Sequence, residues 1–204
     1  MSIRLAVLLS AGGTTLQNLI DCINQQSLDA QIVTVISSRP GVYGLVRAEQ
    51  AGIAHQIVPR KGKTREQFGE NMYRAIRAVQ PDLVCLAGFL EFLPIPEDFT
   101  HRVMNIHPSL IPAFSGKGFY GHHVHEAALE AGVKVTGCTV HFADNEFDHG
   151  PIILQKTVPV LDNDNAETLA QRVFTAECEA YPEAIRLFAQ GKIRVQGRRV
   201  ILEK

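Results

Sequence analysis

Ile3 to Leu9, Gln31 to Ile36, His55 to Val58 and Asp82 to Ala87 are apolar-rich runs, each bounded by turn residues. The first enters Ser10-Ala11-Gly12-Gly13-Thr14-Thr15, after which Leu16, Leu19, Ile20 and Ile23 recur at helical spacing. The second passes through Arg39-Pro40-Gly41 into a helical stretch that Gly52 ends, and the third precedes a helical pattern from Thr64 to Val79. Strands that are apolar throughout, rather than alternating, have no face to offer water, so they belong in a parallel sheet covered on both sides. The expected class is α/β, a doubly wound, mostly parallel open sheet with helices on both faces.

Further strands are expected at Val103–His107, Val135–Phe142 and Ile152–Val160, with a helix from about His122 to Ala131. A long amphipathic helix follows from about Ala166 to Gln190, then a closing hairpin of Ile193–Val195 and Val200–Leu202. No repeat, low-complexity tract or linker interrupts the chain, so residues 1–204 are expected to form a single domain. Twenty basic against 21 acidic residues leave no field to draw nucleic acid or anionic lipid, which points to small-molecule partners. The apolar run at Leu5–Leu9 is too short for a signal segment or a membrane span. Four scattered cysteines, Cys22, Cys85, Cys138 and Cys178, suggest neither zinc nor disulfides, and reduced, buried thiols in the cytoplasm are expected.

Three segments carry candidate chemistry. The turn Gly12-Gly13-Thr14-Thr15 lies between a strand and a helix, where backbone N–H groups and the helix dipole favour an anion. It matches neither dinucleotide nor ATP motifs, and the alternative is a plain tight turn with Thr14 capping the helix. In VMNIH, Asn105 and His107 are two apart and share one strand face, and Pro108 puts His107 at the strand's end, where open α/β sheets bind ligands. An amide donor and an imidazole suit attack on an acyl carbon; the alternative is a turn cap and an ordinary strand-end histidine. Asp148, after an acidic loop, would orient an imidazolium if it reached His107, or is otherwise a solvated turn residue. His122, His123 and His125 lack a cysteine or paired carboxylate at ligand spacing, so no metal is expected.

The segments SAGGTTLQ, CLAGFLEFL, NIHPSLIPAF, VTGCTVHF and FDHGPIILQ, taken in that order from about Ile3 to Phe188, resemble the phosphoribosylglycinamide formyltransferase family of folate-dependent formyltransferases. The resemblance implies the Rossmann-like formyltransferase fold, and transfer of a formyl group from 10-formyltetrahydrofolate to the amine of glycinamide ribonucleotide in purine synthesis. It further implies that Asn105, His107 and Asp148 are catalytic and that Gly12, Gly13, Thr14, Thr15 and Glu177 bind the ribonucleotide. The folate would lie against Leu90, Glu91, Phe92, Leu93, Asn105 and the loop Ala143, Asp144, Asn145, Glu146 and Phe147, with Arg65 near its glutamyl tail. A monomer or homodimer without metal is implied.

The chain departs from the commonest family pattern at Gly12 and Thr14-Thr15, where asparagine and Ser-Asn are usual, and at Glu91, where many members carry arginine. Lys117, in the long segment Phe114–Gly121, has no assigned role. The competing expectations are a formyltetrahydrofolate hydrolase, a formyltransferase for another amine such as methionyl-tRNA or a sugar nucleotide, and a non-catalytic folate or nucleotide sensor. The hydrolase and the tRNA enzyme would ordinarily carry an additional domain, and a sensor would be expected to have lost a member of the trio.

Overall fold

Ile3–Leu9 forms β1, buried at every position except Arg4. The computed structural model describes residues 2–203 and comprises two units by internal packing, Met1–Met104 and Asn105–Lys204. In the first unit, β1 leads to α1 (Thr14–Asn24), β2 (Ala30–Ser37), α2 (Tyr43–Gln50), β3 (His55–Ile57), α3 (Arg65–Ala78) and β4 (Leu83–Leu86). The strands run in the order β3-β2-β1-β4, and all three pairings are parallel. After β3 the chain returns across β1 to form β4. Right-handed crossovers then set α1 and α2 on one face and α3 on the other, which makes this half doubly wound.

Local chemistry sets the helix ends. Thr64 and Gln67 make reciprocal side-chain to backbone bonds at the start of α3 (3.2 and 3.0 Å), and Gly52, with φ of 66°, turns the chain out of α2. The carboxyl end of β1 is tied to that of β4. Ser10 donates its N–H to the Gly88 carbonyl (3.0 Å), its Oγ accepts from the N–H of Leu90 (2.9 Å), and it lies 2.7 Å from Ser38 Oγ. This is the point where the strand order reverses, the usual ligand crevice of an open sheet.

Val103–His107 forms β5 across the boundary between the two units. The second unit continues with α4 (His122–Glu130), β6 (Val135–Phe142), β7 (Ile152–Pro159), α5 (Ala166–Ala189), β8 (Ile193–Gln196) and β9 (Arg199–Leu202). Here the sheet is mixed: β6 and β7 are antiparallel, β9 joins β7 in parallel, and β8 and β9 form the expected hairpin. A single 3₁₀ turn at Glu97–Phe99, between β4 and β5, had no periodic signal to announce it. Among the described residues no helix is long and apolar enough to cross a membrane. None of the four cysteines is in a disulfide; Cys85 and Cys138 are buried as expected, whereas Cys22 and Cys178 are only partly so.

α5 packs against β6 and β7, and Ala176, Ala180 and Tyr181 are among its buried residues. Against β7, β6 comes close at Gly137, where an added Cβ would stand 1.9 Å from the Lys156 carbonyl oxygen. Backbone cannot yield as a flexible side chain can. Gly137→Ala is therefore expected to destabilise the protein by roughly 3 kcal/mol or more, read as a fall in the urea midpoint, whereas Gly12→Ala, with no atom within 4 Å of its added Cβ, should leave the midpoint close to wild type.

Candidate active site

The glycine turn after β1 ends in Gly13, which is the N-cap of α1 in the left-handed conformation (φ 71°), and no side chain caps the helix. Thr14 is thus the first helical residue, and the capping role open to it in the sequence is not used. A helix start without a side-chain acceptor leaves its first N–H groups available to an anion. The two glycines have different duties. A Cβ on Gly13 would lie 2.7 Å from Gly44 Cα of α2, so Gly13 allows two backbones to touch, whereas Gly12 faces open space. Arg47 braces the turn from α2, donating to the Gly12 carbonyl (3.0 Å) and to Gln17 Oε1 (2.9 Å).

The segment after β4 borders the same crevice of the first unit. Leu90 is exposed and Leu93 buried, and the Arg65 guanidinium lies 4.2 Å from the centre of the Phe92 ring. Glu91 faces Arg39 at 3.5 Å, so a guanidinium stands beside this position although residue 91 itself is acidic. A separate hollow of about 360 Å³ is lined by Arg77, Asp82, Asp98, Phe99 and Arg102. Its charges are already satisfied, since Arg77 forks onto Asp98 (3.0 and 2.8 Å) and Arg102 donates to the carbonyls of Asp82, Asp98 and Pro81.

In the second unit the structure brings Asn105, His107 and Asp148 together. His107 is 4% exposed; its Nε2 donates to the Phe114 carbonyl (2.9 Å) and its Nδ1 faces Asp148 Oδ2 at 3.6 Å. Asp148 Oδ2 also accepts the Gly116 N–H (2.8 Å), and Asp148 Oδ1 lies 3.5 Å from Asn105 Nδ2. Asp148 is therefore no solvated turn residue: its side chain is 12% exposed and its backbone is left-handed (φ 52°).

His141 completes the group and was not singled out in the sequence. Its Nδ1 donates to the Phe142 carbonyl (2.9 Å), which leaves Nε2 to accept from Asn105 Nδ2 (3.1 Å). Burial above all holds its pKa below the ordinary histidine value, in keeping with a neutral acceptor. This contact fixes which way the Asn105 amide points. The same Nδ2 is 3.5 Å from Asp148 Oδ1, a long contact that an incoming oxygen could replace. A signal was present: Thr139 and His141 are two apart on one face of the largely buried β6.

Thr139 and Gln155 brace the chain that follows His107. Thr139 Oγ1 donates to the Ser109 carbonyl (2.6 Å) and accepts the Ile111 N–H (3.1 Å), while Gln155, its cross-strand partner, donates to Thr139 Oγ1 and to the Ile111 carbonyl (3.0 Å each). Ser109 donates onward to the Ala113 carbonyl (2.6 Å). The Phe114 carbonyl and Gly116 N–H are thereby presented to His107 and Asp148.

The loop Ala143–Phe147 projects Asn145, Glu146 and Phe147 to solvent, whereas Asp144 turns inward, accepting from the N–H of Glu146 (2.9 Å) and from His149 Nδ1 (2.8 Å). His125 is buried with an unpartnered Nδ1, and burial, followed by the charges of His122 and His107, lowers its pKa to about 4. Among the described residues no three His, Cys, Asp or Glu side chains are grouped to hold a metal. Glu177, on α5, has its pKa raised by burial to about 7, and its charge adds to the burial that pushes the Cys138 thiol up to about 12.

With this geometry in view, comparison with known proteins gives a consistent picture. Residues 3–185 match the family model described as formyl transferase. The chain is 44% identical over 193 residues to the trifunctional purine biosynthetic protein adenosine-3 of Drosophila melanogaster, covering 92% of this chain but 14% of that protein's length. It is 37% identical to the phosphoribosylglycinamide formyltransferase of Escherichia coli K12, covering 94% of this chain and 90% of the relative. The crystal structure of glycinamide ribonucleotide transformylase 1 from Symbiobacterium toebii superposes with a TM-score of 0.93 at 42% identity, covering 100% of this chain and 95% of that one.

The raised pKa of Glu177 has a stability consequence with a definite sign. A carboxyl whose folded pKa (about 7) exceeds its unfolded value (4.5) binds its proton more tightly when folded, so stability falls as pH rises from 4.5 and levels off above 7. Glu177→Gln removes the ionisation. It should be more stable than wild type at pH 8, by roughly 1–3 kcal/mol, and should lose that advantage near pH 4.5. Urea titrations at both pH values check this, and an equal difference at each would refute the assignment.

Proposed function

The chain belongs to the formyl transferase family, and on that premise we propose that it transfers a formyl group from 10-formyltetrahydrofolate to the amine of glycinamide ribonucleotide in purine synthesis. The observation that carries this reading is His107, held between the Phe114 carbonyl and Asp148 beside an oriented Asn105 amide, in a chain so similar to a phosphoribosylglycinamide formyltransferase along nearly its whole length.

In the proposed reaction the amine nitrogen attacks the formyl carbon, and the carbonyl electron pair moves onto oxygen. Asn105 turns an N–H from its long contact with Asp148 to that oxyanion, and a protonated His107 reaches it with the Nδ1–H, which stands 3.6 Å from Asp148 Oδ2, in a site dry enough for two donors to count. Asp148 holds the imidazolium in place, as an adjacent carboxylate does. Collapse re-forms the carbonyl and breaks the bond to the folate nitrogen. That nitrogen gains a proton, the attacking amine loses one, and His107 is suited to carry it.

The uncapped turn Gly12–Thr15 is proposed to take the substrate phosphate on main-chain N–H groups, with Glu177 reaching the ribonucleotide through a carboxyl able to donate or accept near neutral pH. Leu90–Leu93, Asn105 and Ala143–Phe147 are proposed to hold the folate, with Arg65 toward its glutamyl tail. Residues 1–204 would then work as one formyltransferase domain, which the family match across 3–185 supports. The partners proposed are these two small molecules, in the cytoplasm, for a monomer or homodimer.

Purified protein given 10-formyltetrahydrofolate should release the deformylated folate, followed by absorbance, only when glycinamide ribonucleotide is added. Equal turnover in water alone would reassign the enzyme as a hydrolase.

Asp148→Asn should lower kcat about 10²–10³-fold, or roughly 2–4 kcal/mol of transition-state stabilisation, with much smaller changes in KM. The exposed Glu130→Gln should match wild type, and a kcat unchanged in Asp148→Asn would remove the carboxylate from the mechanism.

A further inference from the structure

Asp148 holds a left-handed backbone conformation (φ 52°) that an L-residue keeps only where its surroundings over-determine it. On the inner side it is fixed by Gly116, His107 and Asn105. The outer side depends on the next residue. His149 Nδ1 lies 2.8 Å from Asp144 Oδ2, which closes the loop across its base, while Asp144 Oδ1 takes the Glu146 N–H inside it (2.9 Å). His149 is in turn gripped by the turn of the β8–β9 hairpin, where Arg198 Nη2 donates to the His149 carbonyl (2.8 Å) and Arg198 Nη1 meets His149 Nε2 (2.5 Å). Pairing of Ile152 with Arg199 lays β9 along β7 directly after the loop, which brings the turn there.

The donor inventory decides the protonation pattern. A guanidinium only donates, so His149 Nε2 must be an unprotonated acceptor, and a carboxylate only accepts, so Nδ1 must carry the hydrogen. His149 is thus fixed as the neutral Nδ1–H tautomer, linking Arg198 to Asp144 through its ring. We propose that Arg198 is a positioning residue for formyl transfer: acting through His149, it holds the loop in the geometry that sets Asp148 against His107. It touches neither substrate nor the reacting atoms. Groups that orient an acting side chain through one intermediary commonly matter tenfold or more, because a small displacement of the acting group is costly.

The proposal rests on the formyl-transfer reading for its kinetics but not for its structural content, so two measurements test it. Long-range ¹H–¹⁵N spectra of histidine-labelled protein should show His149 as the Nδ1–H tautomer. In Arg198→Ala that signature should be lost and the His107 ring resonances should shift. In the ribonucleotide-dependent assay, Arg198→Ala and His149→Ala should lower kcat about tenfold or more, with KM for the ribonucleotide within about twofold. His149→Gln keeps one donor and one acceptor and should recover most of the loss. Arg198 is exposed, so its replacement leaves the core intact. A full kcat in Arg198→Ala, or a His149→Gln no better than His149→Ala, overturns the proposal. Should the wild type show no ribonucleotide-dependent turnover, the formyl-transfer reading fails, and the spectra alone decide: unchanged His107 resonances in Arg198→Ala would then overturn the positioning role.

Discussion

The second unit is organised around one carboxylate. Asp148 is nearly withdrawn from water, and a charged carboxylate in such a place is tolerated only if donors surround it. Those donors come from separate segments: His107 and Asn105 from the end of β5, and Gly116 from the loop after it. Placing the charge therefore places the strand end, the loop and the histidine together. The imidazole gains a second constraint from the Phe114 carbonyl, so both ring nitrogens face oxygen and the ring has little freedom to turn.

The surrounding structure makes that arrangement rigid. Thr139 and Gln155, opposite one another on β6 and β7, catch the backbone after His107 at Ser109 and Ile111. Gly137 and Gly150 allow the strands to close on their neighbours where any Cβ would collide with a carbonyl. His141 orients Asn105 while remaining neutral, because burial disfavours its charged form. A site organised in this way needs little rearrangement when charge develops, which is how fixed donors become effective.

In the first unit the glycine turn offers backbone donors rather than side-chain ones. Its glycine turn is shaped by the contact of Gly13 with Gly44 and by Arg47 on the Gly12 carbonyl, and its open helix start needs no particular side chain. A phosphate taken on main-chain N–H groups, as proposed, would leave Gly12 and Thr14-Thr15 free to replace the more usual residues. Glu91 is similarly accommodated, since Arg39 supplies a guanidinium beside it from another strand's end.

Much of this was legible in the chain itself. The unbroken apolar runs require a covered parallel sheet, the glycine turns mark where strands become helices, and the two-residue spacing of Asn105 and His107 puts both on one face whatever else happens. These are short-range consequences of period and backbone freedom. What the tertiary structure alone decided was which distant groups meet: that Asp148 reaches His107 rather than water, that His141 rather than solvent orients Asn105, and that Arg198, near the end of the chain, grips the residue after Asp148. No local pattern encodes such meetings, because they depend on strand order and loop paths, and the donor or acceptor role of each histidine is set only by the partner that packing brings to it.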